Sequence, residues 1–127
     1  MSVPAELRYT EEHEWVAIDG DTASVGITDY AAQSLGDVVY VSLPAVGAAV
    51  TAGEPCGEVE SVKSVSDLYS PVDGQVTEVN GDLDDDPALV NAEPYSTWMF
   101  RVRLSNGSLP SDLLSPAEYE ALTQSAG

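Results

Sequence analysis

The sequence predicts a mainly β protein, a sandwich or a small barrel, with short helices near its beginning and at its end. Between residues 38 and 104, short runs rich in β-branched and aromatic residues alternate with turn-forming Gly and Pro, as in proteins built from many short strands. The chain has 127 residues, of which 43% are hydrophobic, enough for one core but not two. We therefore expect a single domain over residues 1–127.

The first strong local signal is a hairpin near the start of the chain. The runs EWVAI (residues 14–18) and TASVGI (residues 22–27) flank Asp19–Asp21. Asp-Gly between two such runs favours a tight turn. We therefore expect two antiparallel strands here.

The next segment, TDYAAQSLGD, has the start and stop signals of a short helix. Thr28 can cap it, Asp29 suits its first turn, and Gly36 can end it. Val38–Pro44 follows with the β-branched and aromatic residues of a strand.

Short strands separated by turns continue through the middle of the chain. The predicted turns lie at Gly47, near Gly53 and at Pro71–Gly74, with the three glycines as turn formers rather than a phosphate-binding loop. NGDLDDDPALVN is predicted to be a loop with an acidic run at Asp84–Asp86 and a helical turn after Pro87. The carboxylate spacing of that run does not match a calcium loop, so we predict no metal site.

The C-terminal third is predicted to contain one more strand and one helix. Ser96–Leu104 (STWMFRVRL) has the strand pattern. A helix is predicted over about 115–124, with Ser115 as its cap, Pro116 at its first position and Glu118 closing a capping box.

The charge of the chain is strongly negative. Four basic residues oppose 22 acidic ones, and the formal net charge is −18. Phosphates would be repelled, so nucleic acid and anionic membrane surfaces are excluded as partners, whereas basic protein surfaces suit this charge. The acids can equally serve solubility, and the two explanations are compatible.

The N-terminus resembles neither a secretory signal nor an Arg-rich transit peptide. The single cysteine, Cys56, suits a reducing compartment, and we read it as a small buried residue rather than a reactive thiol. We expect a cytoplasmic protein, although a mature organellar protein would look the same.

His13, the only histidine, is predicted to be packed or hydrogen-bonded rather than catalytic. The aromatic residues in strand-like runs are predicted to lie in the core or on a partly buried face: Trp15, Tyr40, Trp98 and Phe100.

The only lysine, Lys63, lies between two alternating runs. Val59 and Ser61 alternate with Glu58 and Glu60 before it, and Val65 alternates with Ser64 and Ser66 after it. These runs predict a hairpin over about 57–69 with Lys63 at or beside the tip, although no Gly or Asn defines the turn type. Lys63 is then either an ordinary surface charge or a primary amine that is acylated to carry a cofactor, a role that arginine cannot fill.

The segment around Lys63, GEVESVKSVSDLYSPVDGQVTEVN, resembles the lipoyl-attachment segment of the glycine cleavage system H-protein family. The matching positions are Glu60, Ser61, Val62, Lys63, Ser66, Asp67, Ser70, Pro71 and Gly74. Three further segments resemble the same family in order along the chain: YTEEHEWV, VGITDYAAQSLGDVVYVSLPAVG and NAEPYSTWMFRVRL. One departure is Ser64-Val65, where the family more often has Ala and a small or polar residue.

The resemblance implies a barrel-sandwich hybrid fold, like that of lipoyl and biotinyl carriers, and a non-catalytic carrier. Lipoic acid would be amide-linked to Lys63, with Glu60, Ser61, Val62 and Ser64 recognised by the lipoate-attaching enzyme. In the family, a pyridoxal-phosphate glycine decarboxylase passes an aminomethyl group to the lipoyl arm. A tetrahydrofolate-dependent aminomethyltransferase then takes the carbon, and dihydrolipoyl dehydrogenase reoxidises the arm. We expect a monomer, because the carrier must present its tip to several partners.

The loaded arm carries an amine, so an acidic pocket would protect it. Glu14 and Asp67 are the candidates for that pocket, against the alternative that both are ordinary surface acids. Biotin carriers usually have Met on both sides of the lysine, unlike Val62 and Ser64 here. Lipoyl domains of 2-oxoacid dehydrogenase complexes are shorter and lack the His-Glu-Trp opening. Two other functions remain open at this point, an acidic interaction module without lipoate and a relay of lipoyl groups to other enzymes.

Overall fold

The structure, a computed structural model, describes residues 7–105 and 113–126. The strands in these ranges are β1 Arg8–Tyr9, β2 Glu14–Asp19, β3 Thr22–Ile27, β4 Val38–Ser42, β5 Ala49–Val50, β6 Pro55–Ser61, β7 Val65–Tyr69, β8 Gly74–Val79 and β9 Phe100–Leu104. The helices are α1 Asp29–Leu35, α2 Asp82–Asp85, α3 Leu89–Ala92 and α4 Pro116–Ala126.

The strands form two antiparallel sheets, which confirms the prediction of a mainly β fold. The larger sheet has six strands in the order β1-β2-β3-β9-β8-β5, and the smaller has the order β4-β6-β7. Their facing side chains form one core, to which Val25 and Phe100 contribute from the larger sheet and Val59 and Leu68 from the smaller. Burying a side chain of this size stabilises a fold by about 1.5–3 kcal/mol, so this core is the main source of stability.

A second cluster lies around helix α4. Tyr119 from α4 packs with Leu7, Tyr9 and Trp15, all buried. A β-bridge between Tyr9 and Leu114 brings the chain onto the edge of the larger sheet just before α4 begins. The predicted capping box forms there: the Ser115 N–H donates to Glu118 Oε1 at 2.9 Å, and the Glu118 N–H donates to Ser115 Oγ at 3.2 Å.

The hairpin and helix predicted near the start of the chain are confirmed. Strands β2 and β3 pair through the whole of their length, and Gly20 turns between them with φ +65°. Thr28 caps α1 by accepting the N–H of Ala31 at 3.2 Å, and Gly36 ends the helix with φ +80°. Strand β4 follows but ends at Ser42, two residues before the predicted end.

Two predicted boundaries are wrong. The acidic run is not wholly loop, because Asp84 and Asp85 lie in α2, which forms as Leu83 turns into the core. The predicted helical turn after Pro87 is confirmed as α3. Strand β9 begins at Phe100 rather than at Ser96, because Thr97 hydrogen-bonds back to Glu93 and Leu89 instead of to a neighbouring strand.

Gly74 and Tyr40 also differ from prediction. Gly47 and Gly53 do turn the chain with positive φ, but Gly74 is the first residue of β8. There a Cβ would overlap the backbone carbonyl of Arg103 on β9. Tyr40 is 58% exposed on the outer face of the smaller sheet, so the prediction of a core or partly buried position is wrong for this residue. It is confirmed for Trp15 and Phe100, which are buried, and for Trp98, which is half-buried.

Among the residues that the structure describes, no helix is long and apolar enough to cross a membrane. Within those same ranges, no three His, Cys, Asp or Glu side chains are grouped so that they could hold a metal ion.

Candidate functional site

Lys63 lies in the turn between β6 and β7, as the alternating pattern predicts. The last register pair of the two strands is Glu60 with Val65, and Lys63 is exposed between them. Two antiparallel strands therefore present a single primary amine at the end of a hairpin.

Ser61 holds this turn together. Its backbone N–H donates to the carbonyl of Ser64 at 2.8 Å, and its Oγ accepts the N–H groups of Lys63 at 3.3 Å and Ser64 at 3.1 Å. Ser61 is buried, while the three other residues expected to be recognised during lipoylation, Glu60, Val62 and Ser64, are exposed. The side chain of Ser61 thus replaces the Gly or Asn that the sequence lacks at this turn.

The tip is anchored to the junction between α1 and β4. The Val62 N–H donates to the carbonyl of Asp37 at 3.0 Å. The stem of Lys63 passes over Gly36, where a Cβ would lie only 3.4 Å from Cε of the lysine. Asn91, from α3, fixes the same junction by donating to the Gly36 carbonyl and accepting the Val38 N–H, both at 2.8 Å. The sequence indicated Gly36 only as a helix end and Asn91 only as the first residue of a segment that resembles the family, without a role for its side chain.

A cleft of about 230 Å³ opens beside the hairpin. Its walls come from the loop before β2, helix α1 and the hairpin strands, with the lining residues Glu12, His13, Glu14, Ile27, Ala31, Ser34, Leu35, Val59, Ser64, Ser66, Asp67 and Leu68. The two acids singled out from the sequence, Glu14 and Asp67, therefore line one cleft. Ser64, the residue after Lys63, lies on its edge.

Glu14 is an acid inside the protein rather than on its surface. Its side chain is 2% exposed, Thr10 Oγ1 donates to its Oε1 at 2.8 Å, and the Tyr69 N–H donates to its Oε2 at 3.4 Å. No cation among the described residues forms an ion pair with it. Burial raises the pKa of Glu14 to about 8, against the smaller opposing effect of its hydrogen bonds. Burial therefore favours the neutral form of this carboxyl.

Asp67 differs from Glu14 in being exposed. It lies on β7 directly opposite Glu58 of β6, so two like charges face each other across the hairpin. Such pairs are mildly destabilising, and neither acid forms an ion pair with a described basic residue.

His13 and Cys56 have the packed roles predicted for them. His13 Nδ1 lies 2.8 Å from the Tyr119 hydroxyl, its ring packs on Tyr30 with centroids 4.6 Å apart, and burial lowers its pKa. His13 also lines the cleft, which the sequence did not indicate. Cys56 is half-buried, and burial raises its pKa to about 12, so its thiol is protonated and unreactive at neutral pH.

The surface around the tip combines apolar and acidic side chains. Four of the six large exposed hydrophobic residues in the described ranges belong to this region: Val39, Tyr40, Val62 and Val65. Tyr40, Glu60 and Val65 lie in one row across the outer face of the smaller sheet. Exposed apolar residues rimmed by charge are typical of surfaces that contact other proteins.

Comparison with known proteins points to one family. Residues 7–126 match the model of the family described as Glycine cleavage H-protein. The chain is 59% identical to a glycine cleavage system H protein of Thermobifida fusca (strain YX), with 100% of each chain covered. It is 52% identical to the protein of that name from Bacillus subtilis (strain 168), with 98% of each chain covered.

A solved structure shows the same fold. The crystal structure of a glycine cleavage system H protein from Mycobacterium marinum superposes with a TM-score of 0.89 at 42% identity, covering 96% of this chain and 99% of that one. This likeness confirms the fold that the sequence predicts.

Proposed function

The chain belongs to the glycine cleavage H-protein family, whose members are the lipoyl carriers of glycine cleavage, and on that premise we propose that Lys63 is the residue that carries lipoic acid. The attachment is an amide on Nζ. The observation that carries the proposal is the exposed lysine on a turn locked by Ser61, next to an acidic cleft.

The residues around Lys63 fit the attachment. The amine is exposed and forms no ion pair with a described residue, so an attaching enzyme can reach it. The bonds from Ser61 and Asp37 fix the backbone of the tip, and the glycine at position 36 leaves room for the lysine stem. When attached, lipoic acid supplies a strained cyclic disulfide that opens and accepts the aminomethyl cargo. The chain's own residues hold and shelter that arm, and we assign none of them a catalytic step.

The cleft lined by Glu14 and Asp67 receives the loaded arm in this proposal. The cargo amine is a cation, and a cation entering the cleft would favour the ionised form of Glu14 and lower its pKa. Glu14 would then pair with the cargo amine away from bulk water, while exposed Asp67 attracts it at the rim. The cleft thereby slows hydrolytic loss of the cargo between active sites.

The partners proposed for this carrier are the other components of glycine cleavage. They are the pyridoxal-phosphate glycine decarboxylase, the tetrahydrofolate-dependent aminomethyltransferase and dihydrolipoyl dehydrogenase, together with the lipoate-attaching enzyme. Each must reach Lys63, so each approaches the surface of Tyr40, Val62 and Val65 with its acidic neighbours. The lone cysteine fits the reducing cytoplasm in which we place this cycle.

Intact mass spectrometry tests the proposal. The chain and its Lys63→Arg variant are produced in cells that attach lipoate. We expect the mass of one lipoyl group on the chain and none on the variant, because arginine keeps the charge but offers no acylable amine. An unmodified chain under excess lipoate and ligase would overturn the proposal and favour an interaction module. Support of glycine cleavage in a reconstituted system separates the carrier from a relay that only passes lipoyl groups on.

A further inference from the structure

Tyr119 places a hydroxyl group between two parts of the chain that are distant in sequence. The residue belongs to helix α4 and is fully buried. Its hydroxyl lies 2.8 Å from His13 Nδ1 and 2.7 Å from Thr28 Oγ1. Its ring stacks on Tyr9 with centroids 4.8 Å apart, which fixes the direction in which the hydroxyl points.

The two residues that the Tyr119 hydroxyl contacts belong to two walls of the cleft. His13 lines the cleft itself and immediately precedes Glu14. Thr28 caps helix α1, whose residues Ala31, Ser34 and Leu35 line the opposite side. A backbone bond of 3.0 Å from the Thr28 N–H to the His13 carbonyl joins the walls at their base. The Tyr119 hydroxyl adds a side-chain link between them.

His13 needs such support because its backbone is in an unfavourable conformation. Its φ is +69°, and it is the only non-glycine residue with positive φ in the described part of the chain. Left-handed backbone costs about 1–2 kcal/mol for most residues and persists where neighbouring groups hold it in place. Here the neighbouring groups are the Tyr119 hydroxyl and the ring of Tyr30.

The hydroxyl chain has two proton arrangements that satisfy every partner. Thr28 Oγ1 accepts the Ala31 N–H at 3.2 Å and still has its own hydrogen and a second lone pair. In one arrangement Thr28 donates to Tyr119 and Tyr119 donates to His13 Nδ1, and in the other the His13 Nδ1–H donates to Tyr119 and Tyr119 donates to Thr28 Oγ1. Both arrangements join His13 and Thr28 through the Tyr119 oxygen.

We propose that Tyr119 is a positioning residue, whose hydroxyl ties His13 and the cap of α1 together and so fixes the cleft in the shape that shelters the loaded arm. The inference rests on the proposed function of the cleft. It gives the C-terminal helix a part in that function, although α4 itself contributes no residue to the cleft lining.

The test compares three variants of the full-length, lipoylated protein. Tyr119→Phe removes the hydroxyl that joins the walls. Tyr9→Phe is the control, since it removes a hydroxyl from the other ring of the stacked pair, whereas the hydroxyl that lies against His13 Nδ1 and Thr28 Oγ1 belongs to Tyr119. Glu14→Gln reports whether the cleft protects the cargo at all. Denaturant unfolding of each variant establishes that it is folded under the conditions of the assay.

Two measurements are made on each variant. The first is the rate at which the loaded carrier spontaneously loses its aminomethyl group. Loss of one net hydrogen bond, about 1 kcal/mol, corresponds to about 5-fold faster loss in Tyr119→Phe. The second is the ¹⁵N NMR spectrum of the imidazole, which is unambiguous because His13 is the only histidine. We expect the Nδ1 chemical shift and the tautomer ratio to change in Tyr119→Phe but not in Tyr9→Phe.

The outcomes separate this inference from the function on which it rests. Unchanged imidazole signals in Tyr119→Phe, or a loss rate equal to that of Tyr9→Phe, would overturn the positioning role. If Glu14→Gln also loses cargo at the wild-type rate, the cleft itself is not protective and the proposed pocket fails with it. Faster loss in Glu14→Gln alone would leave the pocket standing and reject Tyr119.

Discussion

Glu14 shows how one residue type can have opposite roles within one chain. Of 22 acidic residues, most give the protein its solvated negative surface, and their carboxylates lie in water. Glu14 is buried among Thr10, Tyr69 and the cleft walls, and no cation in the described part of the chain pairs with it. A buried carboxyl of this kind destabilises the fold once it is ionised, so its presence has a cost that a functional cleft explains.

The stability of the protein should therefore depend on pH through Glu14. The pKa of Glu14 is about 8 in the folded protein and about 4.5 in the unfolded chain. Between these values the folded state keeps a proton that the unfolded state has released, so the free energy of unfolding falls as pH rises. Relative to Glu14→Gln, the wild-type protein should lose on the order of 4 kcal/mol between pH 4.5 and 8, and the difference should level off about one pH unit above 8.

Urea unfolding of both proteins across that pH range measures the effect. Comparison with Glu14→Gln cancels the general repulsion among the other acids, which weakens any strongly acidic protein at high pH. Asp19→Asn, which removes an exposed carboxylate at the far end of β2, is the control and should keep the pH dependence of the wild type. If the free energies of unfolding of Glu14→Gln and the wild type ran parallel over this pH range, the pKa of Glu14 would not be raised by folding and the prediction would be wrong.

The elements that could be predicted from sequence are those whose ends are set by their own residues. Thr28 and Gly36 define α1, Ser115 and Glu118 start α4, and Gly20 turns the first hairpin, each through a bond or backbone angle within a few residues. The start of β9 differs from the prediction because Thr97 and Trp98 are residue types that favour strands and run directly into the alternating FRVRL, yet Thr97 bonds to α3. Hydrogen bonds to another element cannot be predicted from the residues next to Thr97.

Gly74 illustrates the same limit and gives a test at the level of strands. The sequence predicts a turn at this position, but the structure shows that glycine is needed because β8 and β9 approach too closely there for any side chain. Gly74→Ala should lower the free energy of unfolding by about 2–4 kcal/mol, since the backbone of Arg103 cannot move cheaply. Denaturant unfolding measures this loss.

Gly81→Ala is the matched control for this substitution. Gly81 has helical backbone angles, φ −64° and ψ −19°, and open space around it. Alanine there should change stability by less than about 1 kcal/mol, and in the stabilising direction. Equal losses in the two variants would show that the close approach of β8 and β9 does not restrict position 74.

At the scale of the whole molecule, the site joins segments that no local pattern connects. Lys63 could be predicted as the attachment residue because it is the only lysine and lies in the segment that resembles the family. Glu14 and Asp67 could be predicted as pocket residues from the same resemblance. The contact of Tyr119 with His13 spans 106 positions, and Asn91 reaches Val38 across 53. The sequence could not show either contact, because each depends on how the two sheets and α4 pack.

The distribution of charge is also a property of the whole fold. The three arginines lie on the six-stranded sheet, while Lys63 is the only basic residue on the three-stranded one. Lipoylation removes that charge and changes the formal net charge from −18 to −19. The surface around the modified tip is then acidic and apolar, with the exposed acids Asp37, Glu58, Glu60 and Asp67.

Docking to partner enzymes should therefore weaken with salt. The measurement is the KM of glycine decarboxylase for the lipoylated protein between low and physiological ionic strength, where the screening length falls to about 8 Å. At low salt, Glu60→Gln should raise KM about 2- to 5-fold, because it removes a charge from the row that contains Tyr40 and Val65. Asp19→Asn removes one charge at the far end of β2 and should leave KM unchanged. Equal effects of the two substitutions would mean that only net charge matters, and a KM independent of salt would place partner binding on apolar contacts such as Tyr40 and Val65 alone.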